Sequence, residues 1–126
     1  MIPPRPIRIL GLDPGLRRTG WGVVTIDGMR LCHVAHGVIA PKESLPFAER
    51  LLFLFEEIAA VIAAHAPDEA AVEETFVNTN AASTLKLGHA RACCLIAPGK
   101  PRTSRARRTR CGSRVRPSTS VSARVT

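Results

Sequence analysis

Two carboxylates in this 126-residue chain, Asp13 and Glu73, stand where they could share one task. Each lies at the end of a short apolar run, Ile7-Arg8-Ile9-Leu10-Gly11-Leu12 before Asp13 and Ala70-Ala71-Val72 before Glu73. If those runs are neighbouring parallel strands, the carboxylates meet at one sheet edge and can hold a hard divalent cation such as Mg²⁺. A pair of such ions activates water and stabilises the leaving oxygen in phosphodiester cleavage. Two ions usually call for three or four acidic ligands, and only Asp13 and Glu73 are placed for it. Glu74 alternates to the opposite face of its strand. Phe76 could stack on an exposed base, or be plain core. Lys86 and Arg91 could touch phosphates, or be solvated surface charges. Taken singly, Asp13 reads better as a turn cap and Glu73 as an exposed strand end.

The elements that must position these groups follow from periodicity. In residues 7–15, Ile7, Ile9, Gly11 and Asp13 fall on one face and Arg8, Leu10 and Leu12 on the other. Apolar residues on both faces suggest a strand in the middle of a covered sheet, and Pro14-Gly15 ends it in a turn. A carboxylate at the carboxyl end of such a strand is where open α/β sheets bind ligands. Residues 19–26 form a β-branched second strand, Asp27-Gly28 a hairpin turn and residues 30–40 the return strand. On that strand His33 and His36 are three apart, so they should point to opposite faces and make a poor metal pair. Pro46 suits the first turn of a helix whose stripe is Leu51, Phe55, Ile58 and Ile62, with Phe47 and Leu54 beside it. Pro67 must end it.

Residues 69–74 then read as a short strand of small residues. A strand, a long helix and a strand make a right-handed crossover, which sets this strand parallel to its neighbour. If the neighbour is the first strand, Asp13 and Glu73 come together. Asn80 is a natural cap for a second helix over residues 81–96, with Leu85, Gly88, Ala92 and Leu95 at core-like spacing. Gly88 inside that helix suggests close packing against another backbone.

The formal charge of +8 is unevenly placed. Residues 1–97 hold nine Lys/Arg against ten acids, a net of −1. Residues 98–126 hold nine more and no acid, a net of +9. That last stretch has three valines and no Leu, Ile, Phe, Met or Trp. Such a segment cannot bury enough apolar surface to offset its ordering entropy, so it is expected to be a disordered basic tail. The remainder, residues 1–97, is one domain's worth of chain. No signal-peptide pattern and no 18-residue apolar run occur, which points to a cytoplasmic protein. Cys32, Cys93, Cys94 and Cys111 show no zinc spacing, and Cys93-Cys94 read as small core residues.

Four blocks occur in order: Gly11-Leu12-Asp13-Pro14-Gly15, Thr19-Gly20-Trp21-Gly22, Ala71-Val72-Glu73-Glu74-Thr75-Phe76, and Asn80 through Arg91. Together they resemble the bacterial RuvC family, crossover junction endodeoxyribonucleases that resolve Holliday junctions. The resemblance covers residues 7–97. It implies an α/β ribonuclease-H-like mixed sheet, built as a three-strand meander, a helix, a parallel strand and a helix. It further implies a homodimer, Mg²⁺-dependent symmetric nicking of four-way DNA, and partnership with the RuvA–RuvB branch-migration complex. By position, Asp13 and Glu73 match the first two catalytic, metal-binding carboxylates. Phe76 matches an aromatic that contacts DNA near the active site, and Lys86 lies in the family's helix motif with a DNA or dimer role.

The family pattern continues with another strand, basic loops and a last helix that carries the remaining catalytic aspartates. This chain has no acid after Glu74, so the sheet is expected to be incomplete at the C-terminus and catalysis impaired. The switch to Arg/Ser/Pro/Thr composition after Ala97 has the character of a frame shift or truncation. Two rivals remain: a non-catalytic basic nucleic-acid-binding protein, and a sugar-kinase-like ATPase sharing the Asp-Pro-Gly turn. The block from Asn80 to Arg91 argues against the second.

Overall fold

A computed structural model describes residues 4–74, residues 80–99 and the backbone of residues 123–125. The chain runs β1 (Ile7–Asp13), β2 (Thr19–Asp27), β3 (Arg30–Ile39), α1 (Phe47–His65), β4 (Glu69–Val72), α2 (Ala81–Gly99) and β5 (Ala123–Val125). The sheet order is β3-β2-β1-β4-β5, with β1 at its centre. β1–β2 and β2–β3 are antiparallel, whereas β1–β4 and β4–β5 are parallel. This is the expected mixed sheet of meander, helix, parallel strand and helix.

One face of the sheet carries the core. Leu10, Leu12, Val23, Ile39, Ala70 and Val72 pack against Leu54, Ile58 and Ile62 of α1 and Ala90, Cys94 and Ala97 of α2. Each fully buried aliphatic side chain contributes about 1.5–3 kcal/mol relative to exposure. The opposite face is not covered by any described element, which corrects the expectation of a doubly covered sheet. Ile7, Leu31 and Val38 are exposed there. β1 shows apolar residues on both sides because Ile7 and Ile9 lie on this second face, where no described element packs on them.

Local signals explain the ends of the elements. Gly28 takes a φ of 60° in the β2–β3 turn, as a tight hairpin requires. α1 starts after Pro46 and stops at Ala66, whose left-handed backbone (φ 45°) lets its N–H donate to the Ile62 carbonyl just before Pro67. The Asn80 side-chain oxygen accepts from the Ser83 N–H at 3.2 Å, the expected cap of α2.

Three expectations need correction. α2 buries Ala90, Cys94, Ala97 and Pro98, and from the expected Leu85–Gly88–Ala92–Leu95 stripe Leu95 packs, partly buried, against the core while Leu85 and Gly88 do not. Leu85 is 67% exposed, and a Cβ at Gly88 would meet nothing within 4 Å, so no close packing demands that glycine. The helix rests its small residues on the sheet, and side-chain size misled the reading. The tail from 98 onward is not wholly irregular, since Pro98 and Gly99 continue α2 and Ala123–Val125 pairs in parallel with β4. β4 offers an edge, and an edge accepts a strand. Residues 100–122 lie outside the described residues.

The third correction concerns the histidines. Val24 pairs with His33 and Val23 with Ala35, which leaves Val34 without a partner. This β-bulge inserts one residue and resets the alternation. His33 and His36 therefore share a face, with His33 Nε2 2.9 Å from His36 Nδ1.

Candidate active site on the open sheet face

β1 and β4 run in parallel with Gly11 beside Ala71 and Leu12 beside Val72. The Glu73 N–H donates to the Leu12 carbonyl at 2.9 Å and extends the ladder one residue beyond β4. Glu73 thus sits level with Asp13, two residues past the Gly11–Ala71 pair and on the same, open face. The crossover through α1 produces this alignment: the helix returns the chain to the foot of the sheet, so both strands end at the same edge.

The surroundings are bare. Gly20 pairs with Asp13 and Gly22 with Gly11, so β2 presents no side chains to the open face at these two positions. Asp13, Glu73, Gly11, Gly20, Gly22 and Ala71 line a depression of about 530 Å³. A Cβ at Gly20 would come no closer than 3.8 Å to the Asp13 Cβ, an ordinary contact. Its absence leaves room rather than relieving a clash. The alternate glycines of Thr19-Gly20-Trp21-Gly22 were the sequence signal for this floor, and the period-2 reading of β2 passed over it.

Both carboxylates are exposed, and neither makes a hydrogen bond or ion pair among the described residues. Their oxygens are free to act as hard donors. No group of three or more His, Cys, Asp or Glu side chains that could enclose a metal exists among the described residues. Two carboxylates with water are a donor set from which a single divalent cation such as Mg²⁺ is often held. They do not suffice for two ions. Beneath this edge, burial pushes the Cys94 thiol up to about 12, with Cys93 and Asp13 adding to the effect and Arg91 opposing it.

The remaining candidates lie elsewhere. Lys86 is not in the depression; its Nζ sits 5.7 Å from the centre of the Phe47 ring, on the helix side. Glu74 is exposed just beyond Glu73, and Arg91 is half-buried on α2. Phe76 lies outside the described residues. Lys86 instead lines a narrow notch with Gly15, Arg17, Arg18, Phe47 and Arg50, of which the arginines were not singled out from sequence.

The family model for "Crossover junction endodeoxyribonuclease RuvC" matches residues 9–109. The chain belongs to the RuvC family. A RuvC from Caulobacter sp. (strain K31) is 75% identical over 95 residues, which cover 75% of this chain and 56% of that relative. A RuvC from Caulobacter vibrioides is 70% identical over the same shares. The chain therefore spans just over half the length of these RuvC relatives. Among solved structures, T. thermophilus RuvC in complex with a Holliday junction substrate superposes with a TM-score of 0.65 at 25% identity. That match covers 72% of this chain and 57% of the other. The ribonuclease-H-like architecture expected from the four sequence blocks is thus the RuvC architecture.

Proposed function

We propose that this chain carries the first half of a Holliday-junction endonuclease site, with Asp13 and Glu73 as its catalytic, metal-binding carboxylates. The observation that carries this reading is their placement side by side at the carboxyl ends of parallel strands, on a face left bare by glycine. Asp13 and Glu73 would hold Mg²⁺, which when bound supplies an activated water and charge stabilisation for phosphodiester hydrolysis. The chain's own contribution is positional. The β1–β4 ladder fixes the spacing of the two carboxylates, and the glycine floor lets a DNA backbone approach them. Phe76 and Lys86 are DNA-contacting residues in this reading, the first near the scissile position and the second through a phosphate.

Further parts of the proposal have separate support. A homodimer is supported by α2, which leaves Leu85, Gly88 and Ile96 exposed along its outer side. Partnership with RuvA–RuvB and a cytoplasmic location rest on family membership; no described helix is long and apolar enough to cross a membrane. Impaired catalysis is supported by the absence of any acid after Glu74, which leaves two carboxylates for a task that needs more. A frame shift near Ala97 is supported by the abrupt charge change there, and reading the gene in its other two frames tests it. An acidic, RuvC-like continuation is expected.

The deciding experiment incubates the purified 126-residue chain with a synthetic four-way junction, with Mg²⁺ or with EDTA. Preference for the junction over linear duplex, with Mg²⁺-dependent nicking far slower than that of a Caulobacter relative, is expected. Robust cleavage would overturn the impairment. Binding that ignores DNA structure, falls steeply with salt and disappears on removal of residues 98–126 would favour a simple basic nucleic-acid binder instead.

A further inference from the structure

Apart from Lys86, the residues of the cationic notch on the helix side have no role in the site described above. It lies where the β1–β2 turn, the start of α1 and the middle of α2 converge. Arg50 reaches from α1 to the turn, where its Nη2 donates to the Leu16 carbonyl at 3.0 Å. Its Nε is buried and has no hydrogen-bond partner. Arg18 and Lys86 make no ion pair among the described residues. Arg17 pairs with Glu43 at 3.1 Å, but both side chains are largely exposed and the pair holds little energy. α1 also begins here with no side chain hydrogen-bonded to its first amides, although Glu49 in its first turn offsets part of the positive end. Four cations, Arg17, Arg18, Arg50 and Lys86, thus line a notch that no carboxylate lines, and only Arg17 has an acidic partner among the described residues. A buried guanidinium donor left unpaired is costly, and an anion would satisfy it.

Size selects the ligand. The notch encloses about 20 Å³, enough for one water-sized group and far too little for a base or a nucleotide. An anionic oxygen can enter while the rest of its group stays outside. The turn that forms one wall is tight: a Cβ at Gly15 would collide with the Arg18 carbonyl oxygen. This turn directly follows Asp13, so it links the notch on the helix side to the strand end that carries that carboxylate.

We infer that Arg18, Arg50 and Lys86 grip a single phosphate of a nucleic-acid backbone, with one phosphate oxygen seated in the notch. This rests on the nucleic-acid reading of the family and adds a fixed anchor point that sets how a strand lies relative to Asp13 and Glu73. Free phosphate is the other source of the same chemistry.

The test uses the full chain, ¹⁵N-labelled, in EDTA, titrated separately with (dT)₈ and with inorganic phosphate. (dT)₈ should shift the amides of residues 15–18 and those around Lys86. The double variant Arg18→Gln/Lys86→Gln, both exposed positions, should weaken that site's binding on the order of tenfold. It should also lower the salt slope by about 1.4, two contacts at roughly 0.7 each for single strands. Neutralising Arg30 at the distant hairpin (Arg30→Gln) should leave the shifts at residues 15–18 in place. Arg50→Lys keeps the charge but loses the Nε donor and should weaken the same shifts. Unchanged affinity and slope in the double variant would overturn the inference. Inorganic phosphate moving the same amides at equal affinity would overturn the nucleic-acid source. No metal, junction or cleavage enters the measurement, so failure of junction nicking leaves its outcome readable.

Discussion

The parallel pair β1–β4 has a carboxylate at each end, and the two ends treat it in opposite ways. At the amino end Asp68 is committed. Its Oδ2 accepts from the Arg8 N–H at 2.9 Å, its Oδ1 from Arg5 Nη2 at 2.6 Å, and its own N–H donates to the Arg8 carbonyl at 2.7 Å. Arg8 in turn donates through Nη1 to the His65 carbonyl at 2.6 Å, tying the end of α1 to the same corner. The Asp68 side chain is 14% exposed. At the carboxyl end Asp13 and Glu73 are exposed and have no such partners among the described residues. One end uses charge to hold strands and helix together, and the other keeps charge available. A site that must bind a cation has to forgo the hydrogen bonds that would have stabilised it.

This contrast can be broken from the amino end first. Asp68→Ala removes two charge-assisted hydrogen bonds and should cost about 2–3 kcal/mol in urea unfolding. The Arg5 contact contributes the smaller part, because Arg5 is 62% exposed. A loss under 1 kcal/mol would mean that Asp68 is not the clasp described here.

Alkaline pH probes the carboxyl end next. The Cys94 pKa is raised in the folded chain from the ordinary 9.0 to about 12, mainly by burial. A raised folded pKa means its stabilising contribution is complete below the unfolded value and is lost as pH rises. Unfolding should therefore become easier between pH 9 and 12, and Cys94→Ser should flatten that dependence relative to the parent. Asp13→Asn should lower the Cys94 pKa slightly, read by the pH dependence of thiol alkylation. No change would show that the Asp13 charge does not reach the core.

Ala66→Gly comes third and should stabilise the chain by about 0.4–1 kcal/mol, because alanine pays for a left-handed backbone that glycine adopts freely. It acts beside Asp68 without touching it, so its effect should persist in Asp68→Ala. The smallest stability change belongs to Asp13→Asn and Glu73→Gln, expected within about 0.5 kcal/mol of the parent. Calorimetric titration with Mg²⁺ should nevertheless lose its signal in both. A large destabilisation would reassign the pair to structure.

Much of this contrast was legible in the sequence, and the reasons differ by element. The alignment of Asp13 with Glu73 followed from strand, long helix and strand, because crossover geometry leaves little freedom. Asn80 and Pro67 marked helix ends through chemistry local to a few residues. The buried side of α2 was not legible, since Ala90, Cys94 and Ala97 are chosen by how close the helix lies to the sheet, not by hydrophobic bulk. The bare floor beside Asp13 depends on which β2 residues pair with β1, a long-range fact. The arginine notch joins positions 17, 18, 50 and 86, and no local pattern links them. The His33–His36 contact depends on one unpaired residue that alternation alone does not reveal.

That unpaired residue governs how β3 can change length. Cys32 and Ile39 lie on the helix-facing side although an odd number of steps separates them, and Val34 supplies the extra step. Loss of Val34 would close the irregularity and leave every other β3 residue facing as it does now. Loss of one neighbour, His33 or Ala35, would remove the extra step equally well, with Val34 taking the vacated place in the ladder. The hairpin is thus tolerant of a one-codon deletion anywhere in this short stretch, and in that sense its inheritance depends on counting as much as on identity.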